Sequence, residues 1–463
     1  MSSNPNVRIV TLGCAKNEVD SEEIAGVLRE AGYGVDGSAR NPDVTVINTC
    51  GFLESSKQES IEAIKQAVKD RQKGRTGKVI VAGCLAQRLG ADLARLAPGA
   101  DAYIGVGQMG RFAEIVALTT NSKEQILDVK EPSHLWADVS TRARTGKPWS
   151  AYLKISEGCD HQCTFCTIPS FRGKHDSKPI GRVLEEARFL ARTGAKELNL
   201  IGQDITQYGY DLYKEFTLPK LLRQLNEVDG IEWVRLLYFY PNRLTDEVIE
   251  AMATLPKVLP YIDIPLQHSH PDVLRRMKRP WDGERYLKLF EKVRTAMPSV
   301  AIRTTFIVGF PGETDEEFQS LIDFVKEAQL DRVGAFQFSR EPGTPSYDMP
   351  DQVSAQTKAK RFDRLMKTQA KISLAKNQGW VGQSLDVLVE EVREGWRIGR
   401  SFRDAPEIDG YVVFKGTSSP GEIAKVEVTT AEPYDLYGNQ QGQTMPNRRV
   451  LTPLRQMEPK APT

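Results

Sequence analysis

Short apolar runs alternate with longer stretches of helical periodicity over roughly the first third of the chain. VRIVTLG (7–13) is rich in β-branched residues, and NEVDSEEIAGVLREAG after it reads as a helix that stops at Gly32. VTVIN (44–48) precedes the amphipathic ESSKQESIEAIKQAVKD, and KVIVAG (78–83) leads into LAQRLGADLARLA. DAYIGVG and GRFAEIVAL form a fourth unit of the same kind. This alternation predicts a parallel sheet with helices on its faces, a doubly wound α/β domain.

After the polar stretch TRARTGKPW (141–149), which reads as a linker, a second series begins. Its predicted strands are AYLKIS (151–156), ELNLIGQ (197–203), WVRLLYFY (233–240), YIDIPLQ (261–267), AIRTTFIVGF (301–310) and RVGAFQFS (332–339). Helical segments separate them; in VLEEARFLARTG, Val183, Leu184, Ala187 and Leu190 share one face. These strands are too many for the first sheet to absorb. They predict a partial (βα)6 barrel with its site at the carboxyl ends of the strands. A long helix ends near Gly379, and beyond it SLDVLVEEV, GWRIGRSF, GYVVFK and EIAKVEVTTAEPYDLYG are strand-like stretches between Gly and Pro turns, the pattern of a small OB-like β-barrel. The expected limits are 1–140, 141–378 and 379–445, with a polar tail over 446–463.

Composition narrows the partners. Of 463 residues, 40% are hydrophobic and 27% charged, an ordinary globular balance, and the net charge of +1 advertises no polyanion. MSSNPNVRIV lacks the features of a signal peptide, and no apolar run approaches the ~18 residues that would span a bilayer. The expectation is a cytoplasmic protein with no membrane partner, in which thiols stay reduced. Six cysteines are too few for a disulfide scaffold there, so clustered ones point to metal binding or catalysis.

Cys14, Cys50 and Cys84 follow the first, second and third predicted strands. In a parallel sheet those ends share one edge, so residues far apart in sequence should converge. The other three lie in EGCDHQCTFCTIP, as Cys159, Cys163 and Cys166, just after the first strand of the second series. Zinc would need a fourth ligand, for which His161 or His175 could be offered. A ferredoxin-like cluster would want a fourth cysteine, and none is near. A 4Fe–4S cluster with one iron left open to a substrate or cofactor is the third reading. GVGQMG (105–110), with Asp128 further on, matches a dinucleotide fingerprint but sits in the fourth unit instead of the first; a glycine-rich helix entry explains it as well.

The spacing C-x3-C-x2-C, with Phe165 before the last cysteine, resembles the radical S-adenosylmethionine (SAM) enzymes. The resemblance implies a 4Fe–4S cluster on Cys159, Cys163 and Cys166 whose open iron binds SAM. Reductive cleavage of SAM would then yield a 5′-deoxyadenosyl radical. LGCAKNEVDSE, VINTCGF and VAGCLAQR are similar to the N-terminal domain of the methylthiotransferases in that superfamily. This implies a second 4Fe–4S cluster on Cys14, Cys50 and Cys84 that carries the sulfur to be inserted. The C-terminal barrel resembles the family's substrate-binding TRAM domain.

Within the family, CTFCTIPSFRGKHDSKPI, YFYPNRLTDEVIEAMA, YIDIPLQHSHPDVLRRMKRP and DAPEIDGYVVF resemble the RimO type, which modifies the β-carbon of an aspartate in small-subunit ribosomal protein uS12. The resemblance implies uS12 as partner and an electron donor such as flavodoxin or ferredoxin. Alternatives are a tRNA-adenosine methylthiotransferase of the MiaB type and a zinc-bearing RNA or ribosome binding protein. The barrel segment 378–442 bears on the choice: eleven acidic residues against six basic ones leave a net charge of −5. That suits a basic protein partner better than tRNA phosphate, although Arg393, Arg397, Arg400 and Arg403 could form one basic strip. For SAM, the resemblance implies contacts from Gly202, Gln203 and Asp204 after the second strand, Gln267 after the fourth, and Arg303, Ile307 and Gly309 on or after the fifth.

Overall fold

The computed structural model describes residues 5–132, 136 and 142–442. The expected boundary at 140/141 and the polar tail over 446–463 lie outside the described residues.

Six strands form the first sheet: β1 (Asn6–Thr11), β2 (Gly34–Val35), β3 (Val44–Thr49), β4 (Lys78–Gly83), β5 (Ala102–Ile104) and β6 (Ile126–Asp128). All pairs are parallel, in the order β2–β1–β3–β4–β5–β6. Consecutive residues of β4 serve opposite faces, as a pleated strand requires. Ile80 and Ala82 join Ile24, Leu28 and Phe112 on one side, while Val79 and Val81 join Ile61, Ile64 and Leu93 on the other. Helices therefore cover both faces, and the doubly wound expectation holds. Topology makes β1, β3 and β4 adjacent, so their carboxyl ends share one edge.

The second series supplies β7 (Ser150–Lys154), the short pair β8 (Ser156–Glu157) and β9 (Asp176–Ser177), then β10 (Glu197–Ile201) and β11 (Trp233–Leu236). A parallel sheet runs β7–β10–β11, and a second joins β12 (Tyr261–Asp263), β13 (Ala301–Val308) and β14 (Arg332–Gln337). Several strands stop earlier than their apolar runs suggest. WVRLLYFY leaves the sheet after Leu236, with Tyr238 at φ +67°, and YIDIPLQ leaves after Asp263, with Gln267 at φ +76°. The chain bends at these carboxyl ends, where the apolar pattern continues but the ladder does not.

The C-terminal stretches close a barrel: β15 (Ser384–Arg393), β16 (Trp396–Ser401), β17 (Val412–Lys415), β18 (Ile423–Ala431) and β19 (Leu436–Gln440), in the order β15–β16–β17–β19–β18. Closure removes free edges. EIAKVEVTTAEPYDLYG is two strands, parted at Glu432–Asp435. Arg400 and Arg403 are fully buried, paired with Glu390 at 2.8 Å and Asp331 at 3.2 Å. The basic strip allowed by the sequence is therefore not a surface feature.

The chain divides into two compact units. One comprises Met1–Arg243, Arg276–Arg279 and Ser339–Met349; the other comprises Leu244–Arg275, Pro280–Phe338 and Pro350–Thr463. All six cysteines belong to the first. In the second, ion pairs fasten the barrel to the β12–β13–β14 sheet: Arg332 to Asp404 at 2.8 Å, Arg403 to Asp331, and Arg303 to Asp409 at 3.4 Å, while Arg303 also pairs with Asp263 inside the sheet at 2.7 Å. Arg303, expected to contact SAM, has Asp263 and Asp409 as its partners. It stands third in an eight-residue strand, in register with Asp263 and Arg332 near the amino edge, and both its anionic partners are protein carboxylates.

Candidate functional site

Each of β1, β3 and β4 hands over to a cysteine at its carboxyl end. Cys14 caps the helix Ala15–Glu30, Cys50 directly follows β3, and Cys84 opens the helix Cys84–Leu89. Helix amino ends favour negative charge, which suits thiolate ligands. The loops touch. Gly13 has φ +92°, and a Cβ there would come within 2.6 Å of the Cβ of Cys50; a Cβ on Gly51 would lie 2.9 Å from the Cα of Leu85. Asn17 ties the strands together, its Nδ2 donating to the carbonyls of Leu12 (2.7 Å) and Thr49 (3.0 Å). Ser60 does the same for Cys50, accepting from its N–H at 3.1 Å and donating to its carbonyl at 2.9 Å. The convergence expected of Cys14, Cys50 and Cys84 is what the topology builds.

The other trio lies in the loop after β8. Gly158, at φ +69°, begins the loop, and a Cβ there would overlap the carbonyl oxygen of Lys174. A Gly158→Ala variant should lose about 1–3 kcal/mol of stability from the forced conformation alone. It should also bind less iron than the wild type, which thermal unfolding and iron counting would show. Cys159 N–H donates to the Gly173 carbonyl (3.0 Å), Cys166 N–H to the Cys163 carbonyl (3.1 Å), and Thr164 N–H to the Met277 carbonyl (3.1 Å). Arg279 lies 4.2 Å over the Tyr240 ring and places Nη1 3.8 Å from the Cys163 Sγ.

His161 stacks on Tyr240 at 3.5 Å between ring centroids, and its Nε2 is 2.7 Å from the Asp204 carboxylate. His175 places Nε2 3.1 Å from the Ser177 hydroxyl. His161 is thus engaged through its Nε2, whereas the Nδ1 of His175 is buried without a hydrogen-bond partner. Asp204 is committed as well. It is buried, and besides His161 it accepts from the N–H (2.9 Å) and hydroxyl of Thr206, capping a short helical turn. A SAM ammonium would join these partners at the same carboxylate, which can accept from more than one donor. Gly202 and Gln203 stand differently: the Gln203 Oε1 and the nearby Ser156 Oγ are buried without a hydrogen-bond partner, as a polar ligand's neighbours would be.

In the second unit, Gln267 and Ile307 lie at the carboxyl edge of the sheet, where Gln267 accepts from the Ile307 N–H at 2.8 Å. Gly309, at φ +74°, is a turn glycine: its N–H and that of Phe310 donate to the Glu313 carboxylate. In GVGQMG, Val106 packs with Cys84 and Phe171, and Asp128 pairs with Arg111 at 3.5 Å, so this stretch supports the cysteine edge.

Sequence reading missed Arg172, which links the two cysteine loops. From the end of the helix Ile168–Arg172 it donates to the Cys84 Sγ through Nε (3.2 Å) and Nη2 (3.1 Å). Its other contacts are Glu157 (2.8 Å), Asn17 (2.7 Å) and Asp20 (3.0 Å). Lys154 shares those acids, at 2.5 Å from Asp20 and 3.0 Å from Glu157. Nothing in the local pattern around SFRG marks that arginine, because its partners come from three other segments.

The donor sets fit iron–sulfur clusters. Sulfurs on one zinc, at about 2.3 Å each, lie within about 4 Å of one another. Among the described residues, neither trio brings its three sulfurs within 4.8 Å of one another, and three thiols are the donor type that an iron–sulfur core takes. Burial pushes the thiols of Cys84, Cys159 and Cys166 up to about 12, and that of Cys50 upward too. Iron must displace their protons on binding.

Family models agree with these parts. Residues 6–105 match the uncharacterized protein family UPF0004, 153–325 the radical SAM superfamily and 381–440 the TRAM domain. The Moorella thermoacetica protein named ribosomal protein uS12 methylthiotransferase RimO is 46% identical over 432 residues, 93% of this chain and 98% of its own. Its namesake in Desulforamulus reducens is 43% identical over 440 residues, 94% of this chain and 99% of its own. The chain belongs to the RimO family. Like other radical SAM proteins, this RimO-family chain shares its fold with solved structures. The Kitasatospora setae methyltransferase TsrM aligns at a TM-score of 0.55 and 13% identity, over 88% of this chain and 82% of TsrM. None of the helices among the RimO-family chain's described residues is long and apolar enough to cross a membrane.

Proposed function

We propose that this protein is a radical SAM methylthiotransferase that adds a methylthio group to the β-carbon of an aspartate of ribosomal protein uS12. The observation that carries the reading is the pair of cysteine trios in one compact unit, each set at a strand edge and joined through Arg172. Cys159, Cys163 and Cys166 would hold one 4Fe–4S cluster, and Cys14, Cys50 and Cys84 a second. When bound, the two clusters and SAM supply the radical hydrogen abstraction and the methylthio group, chemistry that side chains alone lack.

The chain's own residues do the positioning. Gly202, Gln203 and Ser156 would line the SAM site in the first unit; within the second, Gln267 and Ile307 stand at the carboxyl edge of its own sheet. Arg279 and Tyr240 shield one side of the Cys163 loop, and Cys50 and Cys84 are buried while the other four cysteines are partly exposed. The segments 1–140, 141–378 and 379–445 divide the work among sulfur delivery, radical formation and substrate docking. Burial of Arg400 and Arg403 leaves the barrel's acidic balance to face a basic protein. Electrons would come from a flavodoxin or ferredoxin.

Mass spectrometry of uS12 and of tRNA from cells lacking the gene tests the reading. Loss of the methylthio mass from uS12 alone is expected; loss from tRNA adenosine with uS12 unaffected would replace it by the tRNA reading. A Cys84→Ala variant should still form 5′-deoxyadenosine yet transfer no methylthio group. Normal transfer by that variant would remove the sulfur-delivery role from the first trio.

A further inference from the structure

Lys16 is buried at 8% exposure, two residues past Cys14. Its ammonium donates to the Gly202 carbonyl at 3.0 Å and lies 3.9 Å from the centroid of the Tyr238 ring. Those neighbours are neutral. The acids closest to the cysteine edge, Asp20 and Glu157, are bound to Lys154 and Arg172. Among the described residues Lys16 makes no ion pair. An ammonium has three donors, and the Gly202 carbonyl takes one. Cys14 and Glu157 attract it only from beyond ion-pair distance, and a buried charge with no close counter-ion is costly, a cost that a carbonyl and a ring offset only in part. Tyr238 itself adopts φ +67°, a conformation uncommon for a bulky residue, to present its ring here. The cation thus reaches from the first cysteine loop to the end of β10, beside the unpartnered Ser156 Oγ and Gln203 Oε1.

We propose that Lys16 is a carboxylate-binding residue, and that the anion it lacks is the side-chain carboxylate of the aspartate to be modified. The inference rests on the uS12 reading for its occupant. The carboxylate is one bond from the β-carbon, so pinning it fixes the reacting carbon between the two cysteine trios. A neutral residue at position 16 would still admit the side chain but would not hold its orientation. The carboxylate of SAM has the same chemistry, and the experiment separates the two sources.

Binding is measured by calorimetry on the reconstituted holoenzyme without reductant. The ligands are SAM alone and then, with SAM present, recombinant uS12 and uS12 with the target aspartate changed to asparagine. The wild type should prefer the aspartate form by about thirtyfold or more, the scale of a buried charge pair. Lys16→Gln should abolish that preference with SAM affinity and iron content unchanged, and Lys16→Arg should keep part of it. If Lys16→Gln weakens SAM binding and leaves the preference intact, the carboxylate site stands but its occupant is the cofactor. If neither affinity changes, the proposal is overturned. If the wild type binds neither form of uS12, the substrate reading fails and the SAM measurement alone decides Lys16. Should Lys16→Gln not fold, equal wild-type affinity for the two uS12 forms, with no loss of SAM affinity in Lys16→Arg, overturns the proposal equally.

Discussion

A Cys163→Ala variant is expected to bind about four iron atoms fewer than the wild type after anaerobic reconstitution, and to form no 5′-deoxyadenosine. The loop should survive the change. The Cys163 carbonyl, not its side chain, accepts from the Cys166 N–H, and Thr164 next to it is tied by N–H to the Met277 carbonyl and by Oγ1 to that of Arg276 at 2.9 Å. Loss of function would therefore be chemical: two sulfurs remain where three are needed to hold the iron core. Cys14, Cys50 and Cys84 are untouched, so one cluster's absorbance and iron should persist. An iron count that still equals the wild type's would show that Cys163 is not a ligand and would undo the assignment of the second trio.

Replacing Arg172 by methionine should cost about 3–5 kcal/mol, as breaking a buried charge network from one side does. In a unit of this size that corresponds to a fall of order 10 °C in Tm. The guanidinium serves Glu157, Asp20, Asn17 and the Cys84 sulfur at once, and all of these are buried. Methionine fills similar space without a donor, so Asp20 and Glu157 would lose one of their close cations and keep Lys154. Arg172→Lys should lose less, since one ammonium keeps the charge but cannot reach four partners with the guanidinium's fork. Circular dichroism melts of the iron-free protein read the effect without any contribution from cofactors. A melting point within a degree or two of the wild type's would mean that Arg172 is replaceable and does not join the two loops.

The motif cysteines were legible because their chemistry is written in spacing. Three cysteines within EGCDHQCTFC need no tertiary contact to be noticed, and Cys14, Cys50 and Cys84 each stand at the end of a strand that periodicity reveals. Charged candidates for cofactor contacts are harder to read. Asp204 and Arg303 are charged residues on strands or strand ends, and sequence alone cannot tell a charge reserved for a ligand from one satisfied inside the protein. Asp204 is held by His161 and Thr206, and Arg303 by Asp263 and Asp409, partners as far as 106 residues away in the chain. Arg172 and Lys16 show the opposite error: both lie inside stretches that resemble the family, yet nothing in those stretches singles them out, and both are buried at the cysteine edge.

Periodicity by itself determined the strand–helix alternation, the C-terminal barrel and the two cysteine trios, because these depend on local preferences and on residue types a few positions apart. Which strands lie side by side was decided only in three dimensions. The order β2–β1–β3–β4 makes neighbours of three strand ends separated by more than thirty residues each, and long-range pairing of that kind leaves no local trace. Tertiary structure also decided which charges are answered and which are left over. An ion pair is a property of two positions, and the chain must be folded before the second one can be named.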